Sequence, residues 1–223
     1  MQIIPVIDVM RGKVVHASGG VRSQYSLLQS VLTSHCEPLL VIADLLAWHS
    51  FTTIYIADLD AIVDQKRNIK LYDALTKRFP DVTFWLDAGI TSKKCWQDLC
   101  ECKNIKLVIG SETLSEIEWL AEADVQERSI VSLDFKQGQF LGNRQLLEQP
   151  ELWPENVIAM NIDYVGAQSG PDYKLLSALQ QKSIHSQIIA AGGVRTELDL
   201  INLERQGIRH ALVASALHDG RIK

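Results

Sequence analysis

Two short stretches late in the chain combine residue types suited to holding an anion. The run Ala190-Ala191-Gly192-Gly193-Val194 ends an apolar segment that begins at Ser186, and a helical pattern opens at Thr196. A second apolar segment, Ala211 to Ala214, ends in Ser215. A strand that passes through a glycine turn into a helix presents backbone N–H groups to solvent, where they can meet a phosphate. Two such turns on neighbouring parallel strands make a phosphate cup, as the last two strand-to-helix loops of (β/α)8 barrels do. Gly192, Gly193, Ala214 and Ser215 are the candidate phosphate-binding residues. The competing reading of the Gly-Gly pair is close packing of helix on strand.

The same pattern occurs earlier. Ala88-Gly89-Ile90 aligns with Gly192-Gly193-Val194, and Val108-Ile109-Gly110-Ser111 aligns with Leu212-Val213-Ala214-Ser215, at one and the same interval. Val6-Ile7-Asp8-Val9-Met10-Arg11-Gly12 matches Ser132-Leu133-Asp134-Phe135-Lys136-Gln137-Gly138 in a D-x-x-x-G frame. Matched pairs at a constant interval mark an internal duplication into two halves.

The elements that must position these residues alternate. Expected strands are Ile3 to Asp8, Thr53 to Asp58, Val82 to Leu86, Lys106 to Ile109, Ser129 to Asp134, Val157 to Asp163, Ser186 to Ala191 and Ala211 to Ala214. Their apolar, β-branched runs leave no face for water, as in parallel sheets. A loop with Gly19, Gly20 and Ser23 follows the first strand. Helices are expected from Pro38 to Trp48, along the stripe Ile69, Leu71, Tyr72, Leu75 and Phe79 up to Pro80, through Trp96 and Leu99, from Leu114 to Ala123, and from Tyr173 to Gln181. A polar loop with Asp60, Asp64 and Asn68 separates the second strand from its helix. Eight strands alternating with helices imply right-handed parallel crossovers. A doubly wound open sheet shares that alternation. Chain length and the duplication favour one closed (β/α)8 barrel domain over residues 1–223.

Composition narrows the partners. At 223 residues and 47% hydrophobic, the chain has ample material for a core, and a formal charge of −5 argues against nucleic acid or a membrane surface. No apolar run reaches membrane-spanning length, and no signal-peptide pattern opens the chain. Cys36, Cys95, Cys100 and Cys102 match no zinc or redox spacing and read as thiols in a reducing cytoplasm. No metal site is expected.

With these residues in view, the chain resembles the histidine-biosynthesis (HisA/HisF) barrels, on the isomerase side, over essentially its whole length. The most specific segments are Pro5-Val6-Ile7-Asp8 with Gly12-Lys13-Val14-Val15, Ser132-Leu133-Asp134, Ser169-Gly170-Pro171-Asp172 and Ala190-Ala191-Gly192-Gly193-Val194. The resemblance implies that Asp8 and Asp134 are an acid–base pair for an Amadori rearrangement of a phosphorylated aminoaldose to an aminoketose, without a cofactor. Such chemistry needs a proton donor at the ring oxygen and a base at C2. It further implies substrate contacts at Gly89, Gly110, Ser111, Asp163 and Gly170.

The departures from that family are specific. Its substrate carries a phosphate at each end, yet where the family reads Gly-Gly-Gly-Ile-Arg-Ser this chain reads Asp87-Ala88-Gly89-Ile90-Thr91-Ser92. Asp87 sets a negative charge where a dianion would sit. The glycine before the last turn is Ala214, the first-strand arginine is His16, and the residues after strand six read Met160-Asn161-Ile162-Asp163-Tyr164-Val165-Gly166-Ala167. A one-phosphate substrate suits these residues better than a two-phosphate one. A related role in tetrahydromethanopterin-linked cofactor synthesis, or a non-catalytic barrel that binds a phosphate ligand, stays open. After strand eight only Ala216 to Lys223 remain, so the final helix is expected to be short or missing. The seam beside it would then be covered by the Pro38–Trp48 helix or by a second copy of the chain in a homodimer.

Overall fold

The computed structural model describes residues 1–16, 25–100, 102–167, 169–183 and 185–222. Gly19, Gly20 and Ser23 of the expected glycine loop lie outside them. Eight parallel strands run in chain order: β1 (Gln2–Met10), β2 (Thr53–Asp58), β3 (Thr83–Asp87), β4 (Ile105–Gly110), β5 (Ser129–Lys136), β6 (Asn156–Asn161), β7 (Gln187–Ala191) and β8 (His210–Val213). Each pairs with the next, and β8 returns to β1 with Gln2 opposite His210 and Pro5 opposite Val213. The sheet is therefore a closed barrel, and the open-sheet alternative falls away.

Closure explains the unbroken apolar runs. Successive strand residues point to opposite faces, and here both faces are buried. Ile4, Tyr55, Trp85, Val108, Ile130, Ile158, Ile189 and Leu212 fill the barrel interior. Their sequence neighbours, such as Ile54, Ile56, Phe84, Leu107 and Val131, pack outward in a second cluster that includes Val41, Ile42 and Leu45 of the helix Pro38–Trp48. Burying each such side chain contributes about 1.5–3 kcal/mol. Helix starts are fixed by side-chain caps: Asp58, Asn68, Ser92 and Asp172 accept from the amides of Ala61, Leu71, Cys95 and Leu175. None of the helices among the described residues is long and apolar enough to cross a membrane.

The D-x-x-x-G repeat has a structural meaning. Arg11-Gly12 and Gln137-Gly138 are matched two-residue turns with positive φ throughout (52° and 72°, 51° and 71°). They fold Lys13–His16 back on β1 and Gln139–Leu141 back on β5, as type I′ hairpin turns do.

Several local expectations change. No helix spans Leu114 to Ala123; instead 3₁₀ turns at Ser111–Thr113 and Glu118–Ala121 precede a helix at Ala123–Arg128. Ile117 and Trp119 are both buried, and on one α-helix they would point about 200° apart, so two tighter turns bury what a single helix could not. The expected polar loop after β2 contains a helix, Leu59–Asp64, because Asp58 caps it. Strand six stops at Asn161, whose side chain accepts from the Asp163 amide and turns the chain into a 3₁₀ segment, Ile162–Tyr164. The helix through Trp96 covers only Lys93–Gln97.

The final helix is short, Ser215–His218. Its seam is covered within the chain. The segment 28–36 crosses it, with the Val31 amide donating to the His218 carbonyl at 2.9 Å and the Ser30 hydroxyl 2.9 Å from His218 Nδ1. Leu28, Ala216, Leu217 and Ile222 are buried there. The strip beside the short final helix is thus covered without a second copy, while Leu27 and Val31 stay exposed.

Candidate active site at the barrel mouth

Alternation along the strands aims the last inward residue of several strands into the C-terminal mouth. Asp8 follows Val6 on the inner face of β1, Asp87 follows Trp85 on β3, and Asp134 follows Ser132 on β5. All three line one lobe of the mouth, an open cleft that also meets Gly89, Gly110, Glu112 and Lys136. A second lobe is lined by Gly192, Gly193, Ala214 and Ser215. Asp8, Tyr55, Met160 and Val165 border both lobes, so the two form one continuous site.

The carboxyl groups are held differently. Asp8 is partly exposed to the cavity, and burial among barrel walls, with the charge of Asp87 adding to it, pushes its pKa to about 7. Asp134 is nearly fully buried. The Ser132 hydroxyl donates to its Oδ1 at 2.7 Å, and its own amide donates to the Ser111 hydroxyl at 2.9 Å. Burial is the largest influence on Asp134 and raises it to about 7; the Ser132 hydrogen bond opposes the rise, while Glu112 and Asp87 add to it.

Asp87 accepts from the Gly89 amide at Oδ1 (3.2 Å) and from the Tyr55 hydroxyl at Oδ2 (3.3 Å). Burial first, then the charges of Asp87, Asp8 and Asp134, hold the Tyr55 phenol far above its ordinary pKa. It stays protonated and acts as a donor at the centre of the acidic lobe. Sequence reasoning missed Tyr55, whose only signal is that it shares the inward face of β2 with Ala57.

The glycine lobe has a different electrostatic character. Gly192 and Gly193 both adopt positive φ (90° and 84°), and a Cβ on Gly193 would lie 2.1 Å from the Gly170 carbonyl oxygen. That backbone is open to glycine alone. Arg221, His16 and His218 line the same lobe. Arg221 pairs with Asp219 at 2.7 Å. His218 is buried, and desolvation with the neighbouring His16 charge pushes its pKa down to about 4, leaving it neutral. Arg221 was not anticipated; it comes from the tail beyond β8, where no motif marks it.

The remaining expected residues are supports. Ser111 is fully buried, donating to the Leu141 carbonyl at 2.7 Å behind Asp134. Asp163 accepts from the Gln137 amide and so pins the β5 hairpin. Gly170 packs beneath Gly193 and against Arg195. Neither Asp163 nor Gly170 lines the two lobes. Among the described residues no cluster of His, Cys, Asp and Glu is arranged to hold a metal, and Cys36, Cys95 and Cys100 form no disulfide.

Comparison with known proteins follows the same lines. A family model described as "Histidine biosynthesis protein" matches residues 2–223. An uncharacterised protein of Methanocaldococcus jannaschii is 31% identical over 224 residues, covering 99% of this chain and 94% of its own. Proteins named as phosphoribosyl imidazole-4-carboxamide isomerases from Myxococcus xanthus and Alkaliphilus metalliredigens are 26% and 22% identical over 237 residues. These alignments take in all of this chain and 95% and 96% of theirs.

Proposed function

The chain belongs to the histidine biosynthesis protein family, and on that premise we propose that it is an aldose–ketose isomerase acting on an aminated sugar phosphate by an Amadori-type rearrangement. The observation that carries this reading is the pair of inward carboxyl groups at the ends of β1 and β5, both brought to about 7 and both bordering the mouth. At neutral pH such a pair divides between the acid and the base form, which the two halves of the reaction require.

The protonated carboxyl donates to the ring oxygen as the C1–O bond breaks and the nitrogen lone pair forms C1=N. The ionised carboxylate then takes the C2 proton, and that electron pair forms C1=C2 while the C=N pair returns to nitrogen. Loss of the C2 hydroxyl proton to the first carboxylate gives the ketone as C1 receives a proton from the second. Two protons leave the substrate and two enter, so the net change is internal and draws on no redox partner. Tyr55, held protonated, orients Asp87 between the pair. Gly192, Gly193, Ala214 and Ser215 receive the phosphate, with Arg221 as the countercharge.

The test is turnover of an aminoaldose made from a pentose 5-phosphate, followed by NMR. Asp8→Asn and Asp134→Asn should each lower kcat by about 10²–10⁴-fold while leaving inorganic phosphate binding intact. Wild-type protein that binds the substrate and does not isomerise it would remove the enzyme reading.

A further inference from the structure

The internal duplication allows the two lobes to be compared position by position. Asp87 pairs with Val108 across β3 and β4, and Ala191 pairs with Leu212 across β7 and β8. The next residues correspond as well, Gly89 to Gly193 and Ser111 to Ser215, and both glycines have positive φ (63° and 84°). Asp87 therefore occupies the place that Ala191 holds in the glycine lobe. One half of the barrel has a methyl group where the other has a carboxylate.

Three differences follow from that exchange. The Asp87 carboxylate already accepts from the Gly89 amide, a donor that an incoming anion would need. The hydroxyl of Ser111 is fully buried and committed to the Leu141 carbonyl and the Asp134 amide, whereas Ser215 borders its lobe. Lastly, Asp8, Glu112 and Asp134 line the acidic lobe against a single cation among the described residues, Lys136, while the other lobe has Arg221. A dianion entering the acidic lobe would find its backbone donor taken and like charge around it.

We propose that Asp87 is a built-in anion standing where a second phosphate would bind, and that it restricts the site to substrates with one phosphate and an uncharged or cationic far end. This rests on the proposed isomerase reading, since it assigns the orientation of a substrate in that same mouth: phosphate at Gly192–Gly193, reacting carbons beside Asp8 and Asp134, and the unphosphorylated end toward Asp87. The residue is a specificity determinant, acting through the charge and the amide it occupies.

Calorimetric titration of the wild-type protein with a pentose 5-phosphate and with the matching pentose 1,5-bisphosphate decides the matter. The 5-phosphate should bind at one equivalent, and the bisphosphate should bind no tighter. Asp87→Ala, which copies Ala191, should shift the preference toward the bisphosphate by about ten-fold or more. Asp87→Asn, which keeps the shape and removes the charge, should shift it in the same direction and serves if the alanine variant does not fold. Wild-type preference for the bisphosphate by about ten-fold, or an unchanged ratio in a folded Asp87 variant, would overturn the role of Asp87 and leave the isomerase reading standing. No binding of either compound to the wild-type protein would overturn both.

Discussion

Replacing Asp8 with asparagine should make the protein more stable at alkaline pH while it destroys the proposed activity. The Asp8 pKa rises from 3.8 to about 7 in the folded protein. A carboxyl raised in this way favours the fold when protonated. That contribution is fully present below about pH 4, where the unfolded chain is protonated too, and it is lost as pH rises toward 7. Between about pH 5 and pH 8 the loss corresponds to about two pH units, roughly 2.7 kcal/mol at about 1.36 kcal/mol per unit. Water reaching the partly exposed side chain at the open mouth reduces this to about 1–2 kcal/mol. The asparagine side chain cannot ionise, so Asp8→Asn should lose less stability than wild type between the two pH values by that amount. Urea denaturation at about pH 5 and pH 8 measures it directly, with m held constant between variants. Equal pH dependence in the two proteins would show that Asp8 is not held protonated by burial, and the acid–base argument would lose its footing.

Other substitutions test the scaffold around the site. Gly193→Ala places a methyl group 2.1 Å from the Gly170 carbonyl oxygen in a positive-φ backbone, and thermal melting should show a loss of about 2 kcal/mol or more. Arg221→Ala should weaken inorganic phosphate binding about ten-fold by calorimetry with little change in melting temperature, because its partner Asp219 is solvent-facing. Light scattering at micromolar concentration should report a monomer, since the 28–36 segment already covers the seam beside Ser215–His218.

How legible this was in the sequence depended on the kind of physics involved. A barrel buries both faces of each strand, so runs such as Ile54-Tyr55-Ile56-Ala57 announce themselves. The duplication was legible because its markers are residues with backbone duties: the glycines of the two D-x-x-x-G turns, and Gly89 and Gly193, all at positive φ. The charge of Asp87 was also plain in the sequence, but its hold on the Gly89 amide depends on side-chain geometry and was not. Tyr55 reads as one more aromatic strand residue until β3 brings Asp87 beside it. The expected helix at Leu114 to Ala123 failed because its apolar spacing fits a helix, while burial of both Ile117 and Trp119 does not. The segment 28–36 has no period at all, and only the finished barrel shows what it covers.

The central claim, that two opposed carboxyl groups move a proton from C2 to C1 of a phosphorylated aminoaldose, is tested most directly in deuterated water. Wild-type protein should yield an aminoketose, seen by NMR, with deuterium at C1 to the extent that the carboxyl group exchanges its proton with solvent before returning it, and neither Asp8→Asn nor Asp134→Asn should form the ketose above the uncatalysed rate. Product formed at the wild-type rate by either variant would contradict the account.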